Sequence, residues 1–236
     1  KIVDVRVPLK VKTYINEILK VAKGTPVSLE VTETTAAGMI KQGKALYKMF
    51  NKVAKNVYIK IPINPAFKNS DSTHFDGIIA IKALSKAKIP TNCTLIFTPE
   101  QALLAAKAGA SFVSPFAGRV DDFIRVNNKI KVDKTAYYPS IGMTKSKKVL
   151  EDNGIYSGTD LVWRCVQILR NYNFKTQVLA ASLRNTRQVR ECGFSGAHIA
   201  TLPLFVIQDM LKHQKTYEGM KGFTKDIVPA YVALTK

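Results

Sequence analysis

The chain has 236 residues, 46% hydrophobic and 22% charged, with 36 lysines and arginines against 17 acids, a net charge of +19 and a pI near 9.8. That size and apolar share suit one large α/β domain over residues 1–236 and exclude a disordered or fibrous chain. No apolar run reaches the roughly 18 residues a membrane-spanning helix needs, and no signal-peptide pattern opens the sequence. In chain order, short apolar segments predict strands at 2–7, 27–31, 57–62, 92–97, 111–114, 177–181 and 197–201. Between and after them, helical spacing predicts helices at 13–23, 34–55, 76–88, 99–108, 160–172, 184–192, 203–213 and 218–232. In the second helix Met39, Leu46, Met49, Phe50 and Val53 recur at helical spacing and mark a core face.

The segment 92–119 shows the pattern most clearly. Thr98-Pro99-Glu100-Gln101 supplies a capping threonine, a proline at the first helical position and a glutamine three residues after the cap. Gly109 stands where a helix end favours a left-handed residue. The two flanking strands therefore run parallel through a right-handed crossover. Such alternation, with no large second domain, no Gly-rich dinucleotide fingerprint and no phosphate-loop lysine, favours a closed (β/α)8 TIM barrel over an open sheet. Residues 125–158, rich in Asn, Gly and Ser, read as a loop-rich basic insertion between two barrel units. Seven strands are visible where a closed barrel has eight, and the chain begins without methionine. The N-terminal strand or strands are thus expected to be missing or degenerate.

Cys93, Cys165 and Cys192 are odd in number and scattered, which suits buried thiols in a reducing intracellular compartment, cytoplasm or organelle matrix. His74, His198 and His213 are isolated, so no metal site is expected. The charge has two readings. Either the lysines and arginines, including Lys41, Lys44, Lys48, Lys52, Lys55 and those from Arg125 to Lys148, are solvated faces, or they contact nucleic acid or an anionic surface. No aromatic-interleaved RNA-binding motif accompanies them.

Three features carry chemistry. Asn92 and Thr94 lie on one strand, and Ser114 and Arg119 around the end of the next, where a strand buried on both faces should be apolar. Lys60 lies between isoleucines in Val57-Tyr58-Ile59-Lys60-Ile61-Pro62. Pointing into an apolar interior, its amine would be held neutral and nucleophilic; on an edge strand it would simply reach solvent. Glu30 ends the preceding strand, at the same rim in a parallel barrel, as a proton relay or as an ion-pairing acid. Ser182 and Arg184, with Arg119, could bind a phosphate by charge-assisted hydrogen bonds.

From about residue 13 to 233 the chain resembles the transaldolases, particularly the short subfamily that includes fructose-6-phosphate aldolases. The resemblance rests on VSLEV (27–31), VYIKIP (57–62), TNCTLIFTPEQALLAAKAGASFVSPFAGRVDD (91–122), TQVLAASLRN (176–185) and HIATLP (198–203). It implies a (β/α)8 barrel forming a class I Schiff base on Lys60, with neither metal nor organic cofactor. It further implies that Glu30 and Thr94 position a proton-shuttling water and that Asn92 and Ser114 bind hydroxyls of the three-carbon unit. Arg119, Ser182 and Arg184 would hold the sugar phosphate. Simple aldolases of the family tend to carry glutamine at the Glu30 position and tyrosine at the Phe116 position, so this chain resembles the transferring members. The family's first-strand aspartate and second-strand Thr-Thr-Asn-Pro motif have no recognisable counterpart. Lys1–Pro8 is either a degenerate second strand, with Val7 where asparagine belongs, or a first strand bearing Asp4. Two functions follow: a pentose-phosphate-pathway transaldolase acting on sugar phosphates, a homo-oligomer where it resembles the short ring-forming members, or a catalytically impaired barrel recruited into an RNA-containing assembly.

Overall fold

The computed structural model describes residues 8–234. The strand expected at 2–7 lies outside them. Helix α1 (Pro8–Ala22) leads into β1 (Val27–Glu30), followed by α2 (Ala36–Ala54), β2 (Val57–Pro62), α3 (Asp76–Lys86), β3 (Thr91–Ile96), α4 (Pro99–Ala108) and β4 (Phe112–Pro115). Then come α5 (Ala117–Asn127), the short β5 (Thr144–Lys145) and β6 (Lys148–Val149), α6 (Gly158–Asn171), β7 (Gln177–Ala180), α7 (Thr186–Phe194) and β8 (Ile199–Ala200). Six strands form one parallel sheet in the order β1-β2-β3-β4-β7-β8, curled and backed by helices in the manner of a TIM barrel.

Alternation along β2 sets the two faces. Val57, Ile59 and Ile61 are buried, and Ile59 meets Gly43 of α2 and Leu84 of α3 on the outer side. Side chains on a strand point to opposite faces in turn, so Tyr58 and Lys60 face the concave interior. There the Tyr58 ring stacks on Phe112 of β4, with centroids 4.6 Å apart and planes within 5°. The capping box at α4 forms as its sequence predicts. Thr98 Oγ1 accepts from the Gln101 amide at 3.3 Å, Gln101 Oε1 accepts from the Thr98 amide at 3.2 Å, and Gly109 closes the helix at φ +97°.

Three sequence expectations are corrected. Helix α5 occupies 117–127, so the insertion begins after it and ends at the Ser157 cap of α6. Within it, β5 and β6 pair antiparallel around Ser146 (φ +50°) and Lys147 (φ +62°), the left-handed pair of a tight hairpin turn. Arg125, grouped with the solvated charges on sequence, is only 5% exposed. Its Nη2 donates to the carbonyls of Ala136 and Tyr137 at 3.2 Å, and its guanidinium lies over the Tyr138 ring at 4.9 Å. The insertion is thus tied to α5 from inside. Finally, the helix expected over 218–232 divides into α9 (Gln214–Lys225) and α10 (Pro229–Ala233), after α8 (Leu204–Met210). Val228, preceding Pro229, is extended (φ −82°, ψ 124°), because the proline ring disfavours a helical residue before it. Neither α9 nor α10 contains a buried residue. Among the described residues no helix is long and apolar enough to cross a membrane.

Candidate active site

A cavity of about 600 Å³ opens at the carboxyl ends of the strands, lined among others by Ser28, Glu30, Lys60, Asn92, Thr94, Ser114 and Phe116. Register assembles its chemistry. Glu30 is the β-partner of Lys60, and Lys60 the partner of Asn92, so three polar side chains stand abreast on three adjacent strands. Parallel partners share a face, hence all three enter the cavity. Lys60 Nζ donates to Glu30 Oε2 at 3.1 Å; their side chains are 25% and 52% exposed. A carboxylate from the adjacent strand β1 therefore adjoins the Lys60 amine, at the shared rim that the parallel order predicts.

Asn92 is 3% exposed and satisfied at both ends of its amide. Nδ2 donates to Ser28 Oγ at 3.0 Å, and Oδ1 accepts from Ser114 Oγ–H at 2.6 Å. Ser28 belongs to β1 and Asn92 to β3, strands about 9–10 Å apart on a flat sheet. Their contact requires the curl. Ser28 did not figure among the sequence candidates. The signal for it was its two-residue spacing from Glu30, which puts both on one face.

Thr94 Oγ1 is buried in the cavity wall and has no hydrogen-bond partner among the described residues, an orphan hydroxyl suited to a ligand or a water. The pairing of β3 with β4 shifts between Cys93 and Ile96, where Leu95 adopts φ +59°. A left-handed leucine is strained, and it marks a bulge beside the site.

The three groups expected to bind phosphate follow the ends of β4 and β7. Arg119, Ser182 and Arg184 do not line the cavity. Arg119 is exposed, its guanidinium 5.0 Å from the centre of the Phe116 ring, which does line it. Ser182 sits at φ +62° in the turn after β7. Arg184 is bound to Asp122 of α5: Nη1 donates to Oδ1 at 2.8 Å and Nη2 lies 2.7 Å from Oδ2. Asp121 beside it accepts from the Gly158 amide at 2.7 Å and from Gln188 Nε2 at 2.8 Å. Burial pushes the Asp121 carboxyl up to about 6, against the lowering effect of those bonds and of Arg125. The thiols of Cys93 and Cys165 are pushed far up by burial, and that of Cys192 to about 12. Among the described residues no group of three His, Cys, Asp or Glu could hold a metal ion.

Residues 9–233 match the family model described as transaldolase/fructose-6-phosphate aldolase. The chain belongs to that family. Relatives named "probable transaldolase" include that of Sulfurihydrogenibium sp. (strain YO3AOP1), 38% identical over 212 residues, 90% of this chain and 77% of the relative. That of Caldicellulosiruptor saccharolyticus is 39% identical over 216 residues, 91% of this chain and 78% of the relative. That of Thermoplasma acidophilum is 38% identical over 212 residues, 90% of this chain and 74% of the relative. As an enzyme of the transaldolase family, the protein presents its polar cavity at the strand ends where barrels of this kind place their chemistry.

Proposed function

We propose that the protein is a Schiff-base transaldolase, moving a dihydroxyacetone unit from a ketose phosphate to an aldose phosphate as in the pentose phosphate pathway. The observation that carries this reading is the Lys60–Glu30 pair, at 3.1 Å inside the polar cavity. A carboxylate at that distance can relay protons through water as the Lys60 amine adds to the ketose carbonyl. Loss of the carbonyl oxygen as water gives the iminium. Removal of the proton from the hydroxyl on the β carbon, two carbons from the iminium carbon, then breaks the bond between the α and β carbons, releases an aldose phosphate and leaves a three-carbon enamine on Lys60. Attack of that enamine on a second aldose forms the new bond, and water returning to the iminium frees the product and restores the amine. Thr94 Oγ1, unpartnered in the wall, is suited to hold the travelling water, and the fixed amide of Asn92 with Ser114 to meet substrate hydroxyls. Glu30 and Phe116 favour transfer over simple aldol cleavage.

Borohydride added with fructose 6-phosphate should fix a reduced three-carbon adduct on Lys60, identified by peptide mass, and Lys60→Met should abolish it. Wild-type protein that acquires no adduct would refute the reading.

One observation favours a second role. Lys41, Lys44, Lys48, Lys52 and Lys55 are all exposed along α2 and its cap, and none enters an ion pair among the described residues. Their spacing gathers them into a single stripe about 21 Å long, suited to a nucleic-acid backbone. Single-stranded RNA meeting all five should bind with a log–log salt slope of about −3.5. An absence of binding at low salt would dismiss this role.

A further inference from the structure

Arg184 is held at both ends, its guanidinium by Asp122 of α5 and its backbone by Gln188 of α7, which is itself bonded to Asp121. Its backbone amide donates to Gln188 Oε1 at 2.8 Å, and Gln188 Nε2 in turn donates to Asp121 at 2.8 Å. Its guanidinium is forked on Asp122, through Nη1 at 2.8 Å and Nη2 at 2.7 Å. The space for this arrangement comes from Gly118, one turn earlier on α5. A Cβ there would stand 2.3 Å from the Ser182 carbonyl oxygen, 2.9 Å from Arg184 Nε and 3.1 Å from its Cζ. The first turn of α5 is thus a mould for residues 182–184, including the left-handed Ser182.

We propose that Asp122 is a positioning residue for phosphate recognition, acting through Arg184. This rests on the reading of Arg184 as a ligand of the sugar phosphate. The fork occupies two of the five guanidinium N–H donors and leaves three for an oxyanion. An arginine with free rotamers must be immobilised when phosphate arrives, whereas one already forked on a carboxylate has lost that freedom during folding. The negative charge of Asp122 would by itself repel a phosphate. It is shared, however: Arg125 Nη1 lies 3.9 Å from its Oδ1, so two guanidiniums stand against one carboxylate. The local field stays positive, and Arg119 adds to it from the same turn of α5.

The test is a double-mutant cycle on the whole protein, with fructose 6-phosphate as donor and borohydride capture of unphosphorylated dihydroxyacetone on Lys60 as the comparison. Asp122→Ala should raise KM for the phosphorylated donor about tenfold, the effect of losing about one charge-assisted hydrogen bond. Capture of dihydroxyacetone, which has no phosphate, should change less than about twofold on the same scale. Arg184→Ala should raise KM similarly, and the double variant no further. Asp122→Asn, keeping volume and one acceptor, should give a smaller rise and guards against a variant that fails to fold. Additive losses in the double variant, equal damage to dihydroxyacetone capture, or a fall in KM with Asp122→Asn would each overturn the role of Asp122. An unchanged KM for Arg184→Ala would instead remove Arg184 from phosphate binding.

Discussion

Asp121 makes the stability of this protein depend on pH in a direction opposite to that of most carboxylates. Five influences act on it: burial and the neighbouring Asp122 oppose ionisation, while Arg125 and the bonds from Gly158 and Gln188 favour it. Tyr138 and Cys192 also lie within range of its charge. Burial is the largest, and the folded carboxyl titrates at about 6 rather than the ordinary 3.8. Two pH units at about 1.36 kcal/mol each give about 3 kcal/mol. The sign follows from proton uptake. Between those values the folded state binds more protons than the unfolded one, so this contribution is full below about pH 4 and is lost as pH rises through about 6. Asp121→Asn removes the titration. Urea unfolding of both proteins from pH 4 to 7.5 should show the wild type losing about 3 kcal/mol relative to the variant as pH rises. A constant difference, or a wild type that gains on the variant, would mean that the hydrogen bonds and Arg125 outweigh burial and would refute the reasoning.

Gly158→Ala would set a Cβ 2.0 Å from the Ala117 carbonyl oxygen, a backbone atom unable to move aside. It should cost about 3 kcal/mol and lower Tm by roughly 6–10 °C in a thermal melt. Thr98→Ala removes half of the α4 capping box and should cost about 1 kcal/mol by urea unfolding. Arg125→Ala frees the backbone carbonyls of Ala136 and Tyr137 and the ring of Tyr138, so tryptic cleavage after Lys131 or Lys134 should quicken about tenfold or more, read by limited proteolysis.

What could be read from the sequence was what repeats or is locally encoded. The α4 cap and the parallel strands follow from spacing within a few residues, whereas the inward and edge-strand readings of Lys60 are separated only by the register of β1, β2 and β3. Helix α5 escaped because two of its inward positions, Asp121 and Arg125, are charged, which leaves only Ala117, Val120 and Ile124 to mark its buried face. The same two residues hide the start of the insertion, which follows Asn127. Their burial depends on partners far along the chain, Gly158, Gln188 and Ala136, and no local pattern announces it. Ser28 is similar: its bond to Asn92 is created by the curvature of the sheet. The gathering of Arg119, Ser182 and Arg184 was expected at the cavity wall. Arg184 is bound to Asp122, an acid whose sequence neighbourhood does not reveal its partner.

The lateral row Glu30, Lys60, Asn92 has a consequence for how the protein can be assayed. A strand slipped by one position turns its whole side-chain set to the opposite face. A misregistered β1, β2 or β3 would bury a charge or an amide among the isoleucines and empty the cavity of its reacting group. Compact molecules with wrong pairing would therefore be chemically silent, however much helix they retain. If Lys60 forms the proposed Schiff base, the fraction of refolded chains that capture a carbonyl on it becomes a count of chains whose central strands are in step, where circular dichroism would count them all.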